Sequence, residues 1–351
     1  MTQGRTSVTT TLRDRLEGMT AWREASTSGG SIAAALEVAR AAPQGLVDRL
    51  ARSSRIIITG AGSSYYIALV AASAMRSMSG LPAVAAPLSE VLLRPDDVLD
   101  RGGREDQPVI VVSRSGSTTE ALDVVRASAE RGQHCLAVTC RPGSPMTQLA
   151  DATLAVPEAD EAAIVMTRSF IALTSLLLRV GARIGDPAFA RDLDQLPERW
   201  HETGLHVETA LRLASADPSR VVVLGGGAAF GLASEAVLKL TETSQVPAAA
   251  FHPLEFRHGP ISVCEPGVLV VALLGGPAQE AERRVIEESA ALGATTWVLG
   301  PDGPGVDLSE VARLPLVLHP LQALALGVAI RRGSDPEAPR HLGQVVVLEH
   351  D

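Results

Sequence analysis

Hydroxyl side chains gather in two short segments in the first half of the chain. Ser63 and Ser64 follow a glycine turn at residues 60–62. The second segment holds five hydroxyl residues, which are Ser113, Ser115, Ser117, Thr118 and Thr119. Each segment lies between a run of β-branched residues and a helix-like stretch, as in a strand, a turn and a helix N-terminus. Because helix N-termini present unpaired N–H groups to anions, these hydroxyls predict a phosphate-binding site.

Helix capping is the alternative interpretation of these hydroxyls. Ser117 and Glu120 have the spacing of a capping box, in which the two side chains bond to backbone N–H groups of the first helical turn. The corresponding turns in the second half read GGGAAF and LLGGPAQ and carry no hydroxyl group. Two hydroxyl-rich turns in one half and none in the other favour the phosphate site.

An acid–base set is found in the second half. Glu235, Lys239 and Glu242 follow the spacing i, i+4 and i+7, which places them within about 60° on one helix face. A solvated ladder of salt bridges has the same spacing, and on spacing alone that interpretation is favoured. Further along, His258 precedes a Gly-Pro turn in the sequence HPLEFRHGP, and histidine is the side chain best suited to proton transfer near neutral pH.

Other chemistries lack their motifs. The turn at residues 60–62 has no third glycine, and no acidic residue stands clearly about 20 positions further on, so a nicotinamide cofactor is not indicated. The phosphate-binding loop G-x-x-x-x-G-K-[ST] is absent from the chain. His201 and His206 are five residues apart and fail the zinc motif H-E-x-x-H. The sequence therefore predicts neither a metal nor a cofactor.

An internal repeat indicates which elements position these residues. RIIITGAGSSYYIALVAASAM, beginning at Arg55, resembles RVVVLGGGAAFGLASEAVLKL, beginning at Arg220. A second strand–turn–helix pattern follows in each half, from Pro108 and from Gly267. Nearly continuous apolar strands separated by helices are typical of a parallel sheet covered on both faces. We therefore predict an α/β protein with two doubly wound domains that arose by duplication.

The domain bounds follow from the repeat and from the polar stretch at residues 185–202. We expect an N-terminal helical segment at residues 1–45, which is too short for a core of its own. A first domain with the phosphate site is expected at residues 46–190. A second domain with a C-terminal tail is expected at residues 191–351.

Composition narrows the class of protein. The 351 residues are 46% hydrophobic and 20% charged, which excludes a disordered chain. The formal net charge of −9 argues against nucleic-acid binding. Three cysteines without a C-x-x-C pair predict no disulfide framework and a reducing cytoplasm. The most apolar stretches, residues 169–178 and 314–330, are shorter than the roughly 20 apolar residues of a bilayer span, so no membrane is expected.

The motifs together resemble a known family. The chain is similar over nearly its whole length to double sugar-isomerase (SIS) domain proteins, including the isomerase half of glucosamine-6-phosphate synthase and the amino-sugar-6-phosphate deaminase/isomerases. The motifs are GAGSSYYIA (60–68), SRSGSTTEAL (113–122), MTRSF (166–170), SEAVLKLTET (234–243) and EFRHGP (255–260). The resemblance implies two tandem SIS domains and a phosphorylated amino sugar as ligand.

The resemblance also implies substrate-binding residues. The family's phosphate ligands correspond to Ser64, Ser113, Ser115 and Thr118. Ser63 and Arg114 correspond to residues beside the sugar.

Catalytic roles are implied in the same way. The family's catalytic glutamate corresponds to Glu242, its helix lysine to Lys239, and the glutamate one turn earlier to Glu235. Its ring-opening histidine corresponds to His258. In the family that histidine reaches the site from the neighbouring subunit, so the resemblance implies a homodimer with composite active sites.

Two departures from the family limit the chemistry. No glutamine-hydrolysing domain with an N-terminal cysteine precedes the first domain, so nitrogen transfer from glutamine is not expected. The synthase also has a tail lysine that forms a Schiff base with an open-chain ketose, whereas Gln344 stands at that position here. Glutamine cannot form an imine, but the residues for enolisation are all present.

The resemblance implies an enzyme that acts on a hexosamine 6-phosphate. His258 would open the ring and Glu242 would remove the C2 proton; returning that proton at C1 gives isomerisation, or an imine that releases ammonia. One alternative is a lyase that dehydrates an N-acetylhexosamine 6-phosphate by loss of the C3 hydroxyl. Another is a sugar-phosphate sensor without turnover, although residues 1–45 are too short for the helix-turn-helix module of such sensors.

Overall fold

Strands and helices alternate along most of the chain in a computed structural model that describes residues 12–99, 107–275, 279–300 and 302–346. The first part contains α1 (Thr20–Ser26), α2 (Ser28–Ala41), α3 (Gln44–Ala51), β1 (Ile56–Gly60), α4 (Ser63–Ser79), β2 (Ala83–Pro87), α5 (Leu88–Leu93), α6 (Pro95–Val98), β3 (Val109–Val112), α7 (Thr119–Glu130), β4 (Cys135–Thr139), α8 (Pro145–Leu149) and β5 (Ala152–Ala155). The second part contains α9 (Arg168–Gly185), α10 (Pro187–Asp194), α11 (Leu196–Arg199), α12 (Thr203–Ser215), β6 (Arg220–Gly225), α13 (Ala228–Ser244), β7 (Ala248–Phe251), α14 (Pro253–Phe256), β8 (Val268–Leu273), α15 (Gln279–Ala291), β9 (Thr295–Val298) and α16 (Leu314–Arg331). Short 3-10 helices occur at Pro157–Ala159, Trp200–Glu202 and Pro260–Val263.

The chain divides into two units, each with its own sheet. The five-stranded unit draws on Ser28–Glu161, Arg168–Pro197 and Gly343–Asp351. The four-stranded unit draws on Met1–Thr27, Ala162–Thr167 and Glu198–Leu342.

The sheet of the five-stranded unit is parallel, with the strand order β2-β1-β3-β4-β5. Its central strands are buried throughout, as expected for a parallel sheet with helices on both faces. Thr59 on β1 is paired with Val111 on β3. One core cluster joins Val111 to Val124 on α7 and Met146 on α8, so the helices cover the sheet with apolar side chains.

The sheet of the four-stranded unit repeats this arrangement with the order β7-β6-β8-β9, also parallel. Leu224 on β6 is paired with Ala272 on β8. Its core cluster joins Val222 and Val270 to Phe256 on α14 and Val285 on α15. The two sheets confirm the predicted α/β class with two tandem doubly wound domains.

Helix α16 is long and apolar enough to cross a membrane by length and composition, but nearly all of it is buried within the four-stranded unit. It packs against α12 and α13. The helix continues through Pro320, although a proline in this apolar stretch is a reason to expect an interruption. A helix that is apolar on all sides is typical of a domain core when it is covered in this way.

Each unit combines three separate stretches of the chain, whereas each predicted domain is one continuous stretch. Helix α1 belongs to the four-stranded unit, where the Glu337 carboxylate accepts hydrogen bonds from the N–H groups of Thr20 (3.0 Å) and Ala21 (2.9 Å). Helix α2 belongs to the other unit, so the predicted N-terminal segment is divided between the two. Residues 343–346 of the tail, predicted with the second domain, are grouped with the five-stranded unit.

Candidate active site

Strand β1 is followed by a turn that starts α4 with two serines. Gly62, the residue before the helix, has φ 54° and ψ −127°, a conformation that glycine adopts most easily. A side chain at Gly60 would collide with the backbone of Ser64, so the turn approaches the helix closely. Ser63 and Ser64 are both buried in the first helical turn. The β1 turn thus places both predicted serines at the carboxyl end of the sheet.

Strand β3 ends at the same edge of the sheet, next to β1, and leads into the second predicted turn. Ser113, Arg114 and Ser115 are each only 5% exposed. The Ser113 Oγ accepts a hydrogen bond from the Gly116 N–H (3.2 Å), and the Ser115 Oγ accepts one from the Ser117 N–H (3.3 Å). These bonds leave each hydroxyl hydrogen to be donated to another acceptor, as phosphate binding requires.

The capping interpretation of these hydroxyls does not match the structure. Helix α7 begins at Thr119 with Thr118 as its N-cap, and no side chain caps it. Ser117 and Glu120 therefore do not form a capping box. Gly62 precedes α4, likewise without a side-chain cap. Neither helix start uses its predicted hydroxyls as caps, which favours the phosphate interpretation.

Arg114 is held in place within the second turn. Its carbonyl oxygen accepts hydrogen bonds from the Thr139 hydroxyl (2.9 Å) and the Cys140 N–H (3.0 Å). Its guanidinium lies 3.7 Å from the buried Glu161 carboxylate and donates to the carbonyl oxygen of Gln344 (3.1 Å). The tail position that departs from the family's lysine therefore lies directly against the predicted phosphate turn.

Two ionisable side chains near the predicted phosphate-binding turns have raised pKa values. The Cys140 thiol is buried, and burial together with the nearby Glu161 and Asp160 carboxylates raises its pKa. Burial also raises the pKa of the Tyr65 phenol on the first turn of α4. Both groups therefore stay protonated at neutral pH, and Arg114 is the cation within the turn.

Helix α13 brings the three predicted acid–base residues together. Lys239 forms ion pairs with Glu242 and, at 3.5 Å, with Glu235. The side chains of Glu235 and Lys239 are 0% and 3% exposed, and that of Glu242 is 19% exposed. A solvated ladder of salt bridges would be exposed, so that interpretation is wrong here. Only Glu242 of the three reaches solvent.

The lysine is also distinctive by its residue type. The chain contains 31 lysine and arginine residues, and Lys239 is the only lysine. Arginine stays protonated in proteins, whereas lysine can take part in proton transfer. The amino-acid sequence alone could have singled out this position, because the rest of the chain uses arginine.

His258 is not joined to this cluster. It is exposed on the turn after α14, next to Gly259 with φ 117°. In the part of the chain that the structure describes, its side chain makes no hydrogen bond or ion pair with Glu235, Lys239 or Glu242. Its predicted role in a neighbouring subunit stays a prediction.

Metal-binding side chains are not clustered in the described ranges, where no group of three or more His, Cys, Asp or Glu residues is arranged to hold an ion. The cysteines Cys135, Cys140 and Cys264 are all buried free thiols.

Comparison with protein families gives one match, the SIS domain, at residues 49–180 and 213–303. These two segments contain all four strand–turn–helix patterns of the internal repeat. They cover more than half of the chain.

Among curated proteins, the isomerizing glutamine–fructose-6-phosphate aminotransferase of Methanothermobacter thermautotrophicus is 28% identical over 323 residues. The match covers 87% of this chain and 53% of that protein. The chain thus spans about half the length of the curated relatives it matches.

Among solved structures, glucosamine-6-phosphate deaminase from Thermotoga maritima is 26% identical with a TM-score of 0.80, covering 94% of this chain and all of that one. Tagatose-6-phosphate ketose/aldose isomerase from Escherichia coli is 22% identical with a TM-score of 0.79, covering 95% and 98%. The second likeness supports the fold alone.

Proposed function

Because the chain belongs to the SIS domain family, we propose that it is an enzyme that isomerises or deaminates a hexosamine 6-phosphate. The observation that carries this proposal is the buried ion-paired cluster on α13, in which the only lysine holds one partly exposed carboxylate. The names of the relatives support the substrate class, since each acts on a six-carbon sugar 6-phosphate. The three buried free thiols support a reducing cytoplasmic location.

The five-stranded unit would bind the phosphate group. The proposed ligands are the hydroxyls of Ser64, Ser113, Ser115 and Thr118. Ser63 and Arg114 would lie beside the sugar. Phosphate is remote from C1 and C2 of a 6-phosphosugar, so its binding energy can hold the reacting carbons in a productive pose.

Glu242 would act as the general base. Its carboxylate is the partly exposed member of the cluster, so it is the one of the three that can contact a bound substrate. It would remove the C2 proton, and return of the proton at C1 would complete isomerisation. When C2 carries an amino group, the product after protonation is an imine, which water converts to a ketose phosphate and ammonia.

Lys239 and Glu235 would support that base. The Lys239 ammonium stabilises the Glu242 carboxylate by a close ion pair, and Glu235 compensates the same buried cation from the opposite side. Loss of the lysine would remove the cation that the two carboxylates share. We therefore assign Lys239 and Glu235 to the charge balance of the base.

His258 would open the sugar ring from the neighbouring subunit of a homodimer. Its exposure and its lack of a bond to the α13 cluster are compatible with that arrangement. Two inactive homodimers, His258→Ala and Glu242→Gln, are expected to recover part of the activity when their subunits exchange. No recovery in demonstrated heterodimers would mean that each chain builds its own site.

A substrate panel tests the proposed function and separates its variants. Hexosamine and N-acetylhexosamine 6-phosphates are incubated with the protein while ammonia, ketose and unsaturated product are measured. Ammonia with ketose phosphate identifies a deaminase, and ketose alone an isomerase. An unsaturated product identifies a lyase that expels the C3 hydroxyl. Tight binding of every sugar without any product would contradict the proposed enzyme and indicate a sensor.

A further inference from the structure

A small cavity, too narrow to hold a water molecule, lies beside the Lys239 side chain in the four-stranded unit. Its lining comes from α13, from α16 and from the segment Ala162–Thr167, which joins this unit from the first half of the chain. The lining residues are Val165, Thr167, Lys239, Thr243, Gln322, Ala325 and Leu326. Lys239 is the only charged residue among them, so the remaining walls of the cavity are neutral.

Gln322 is a polar residue in the most apolar helix of the chain. It is 1% exposed, and its Nε2 donates a hydrogen bond to the carbonyl oxygen of Thr167 (3.0 Å). The same carboxamide interacts with the ring of His319 one turn earlier on α16, and this interaction opposes the lowering of the His319 pKa by burial. A buried amide is tolerated in an apolar helix when its polar atoms are used. Gln322 therefore uses its Nε2 to join α16 to Thr167.

That bond fixes one end of the segment Ala162–Thr167. At the other end, the Glu24 carboxylate accepts hydrogen bonds from the N–H groups of Ala162 (2.7 Å) and Ala163 (3.1 Å). One Glu24 bond is exposed and the other is half-buried, whereas the Gln322 bond is buried at the cavity. Gln322 therefore holds the segment at its buried end, where it faces Lys239.

Helix α16 is tied to α13 at the same place. The Thr243 hydroxyl donates to the Lys239 carbonyl oxygen (2.7 Å) and also lies 3.3 Å from the carbonyl oxygen of Ala325. Displacement of the segment would thus open the cavity on one side while the two helices keep the other side closed.

We infer that Gln322 is a positioning residue: it anchors the segment Ala162–Thr167 across the cavity, excludes water from the Lys239 amine, and so keeps Lys239 paired with Glu242. Water beside the ammonium would raise the local dielectric constant and weaken both of its ion pairs. Lys239 pairs with Glu235 and Glu242 on its own helix, and the other residues that line the cavity carry no charge. The catalytic meaning of this pairing rests on the proposed function, but the pairing itself does not.

The single lysine allows a direct test without substrate. Acetylation by a succinimidyl ester under native conditions modifies one ε-amine only, and mass spectrometry separates that product from modification at the N-terminus. We expect Gln322→Leu and Gln322→Asn to accelerate acetylation of Lys239 by about tenfold. Each variant loses one buried hydrogen bond that opposes local opening of the segment, so Lys239 is exposed to the reagent more often. Asparagine keeps the polar group but is too short for the bond, so it serves if leucine impairs folding.

Val328→Ala is the matched control, because it truncates a buried residue of the same helix that does not line the cavity. It is expected to lower stability against urea without accelerating acetylation. Equal acetylation rates in wild type and in both Gln322 variants would overturn the inference, as would equal acceleration in Val328→Ala.

A kinetic readout links the inference to the reaction. Where the wild type turns over a hexosamine 6-phosphate, Gln322→Leu should lower kcat while KM stays within about twofold, because the proposed phosphate ligands lie in the other unit. Faster acetylation with an unchanged kcat would confirm the anchoring and overturn its link to Glu242. A wild type without any turnover would contradict the proposed function, while the acetylation result would still decide the anchoring.

Discussion

The two units share a backbone turn but differ in its side chains. Gly62 before α4 has φ 54° and ψ −127°, and Gly227 before α13 has φ 53° and ψ −126°. After Gly62 the five-stranded unit has two serines, whereas after Gly227 the four-stranded unit has Ala228 and Ala229. The same strand–turn–helix geometry therefore presents hydroxyls in one unit and methyl groups in the other.

The second turn differs more. Val111 on β3 and Ala272 on β8 occupy equivalent positions in the two sheets. Two residues further on, the five-stranded unit has Ser113 and the four-stranded unit has Leu274. The buried Glu282 carboxylate lies 3.5 Å from the Gly275 N–H, and the Glu310 carboxyl lies close to the same glycine. Burial raises the pKa of both glutamates. In the four-stranded unit, acidic groups of the chain occupy the place where an anion would bind.

The helices after the first turns are specialised in the opposite sense. Aligned by the repeat, the positions of Glu235, Lys239 and Glu242 on α13 correspond to Val70, Ala74 and Ser77 on α4. Val70 and Ala74 are buried apolar residues of the core. The two units thus share one framework, and their side chains give one unit a hydroxyl-rich edge and the other a buried ion-paired cluster.

Loss of the hydroxyls should have the largest effect on binding. The triple variant Ser113→Ala, Ser115→Ala and Thr118→Ala should weaken 6-phosphosugar binding at least about a hundredfold, since hydrogen bonds to a charged group contribute about 1.5 to 3 kcal/mol each. Calorimetry measures the affinity, and circular dichroism checks that the fold is kept. Unchanged affinity would remove the proposed distinction between the two edges.

Acid should destabilise the four-stranded unit through its buried His319. His319 is fully buried between Trp22 and Trp200, with ring centroids 5.2 and 4.8 Å away, and burial lowers its pKa from 6.5 to about 4. The unfolded state therefore binds the proton first, so stability falls as the pH drops from about 6.5 to about 4, by up to about 3 kcal/mol.

The aromatic residues make that comparison measurable. All three tryptophans belong to the four-stranded unit and both tyrosines to the five-stranded unit. Tryptophan fluorescence during urea unfolding should show the acid-dependent loss, and His319→Phe should remove it. The same pH dependence in the variant would mean that other groups cause the loss.

The smallest effect is expected at the tail. Gln344 accepts a hydrogen bond from Arg114 at its backbone carbonyl, which a substitution of the side chain preserves, and its amide cannot form an imine. Gln344→Ala should therefore change kcat/KM by no more than about threefold, the scale of a weak peripheral contact. A loss of a hundredfold in steady-state assays would show that the side chain takes part in the reaction.

The sequence predicted the strands, turns and helix-face spacing because each is encoded by local periodicity and by glycine at a required turn. It did not predict that Glu24 and Glu337 interleave distant segments, since each contact depends on one polar residue and a partner more than a hundred positions away. The spacing of Glu235, Lys239 and Glu242 favoured a solvated ladder of salt bridges. It could not predict that the cluster is buried, because that burial depends on packing of α13 against α16. The role proposed for His258 requires a second subunit, so the spacing of residues within one chain carries no signal for it.

In the proposed reaction, one unit binds the phosphate and the other removes the proton. Glu242→Gln preserves shape and hydrogen bonding but cannot accept a proton. Exchange of the substrate's C2 hydrogen in heavy water should fall by at least about 10², the contribution of a general base, while calorimetric affinity for the same 6-phosphosugar stays within about threefold. Wild-type exchange in this variant would show that another residue is the base and would contradict the division between the two units.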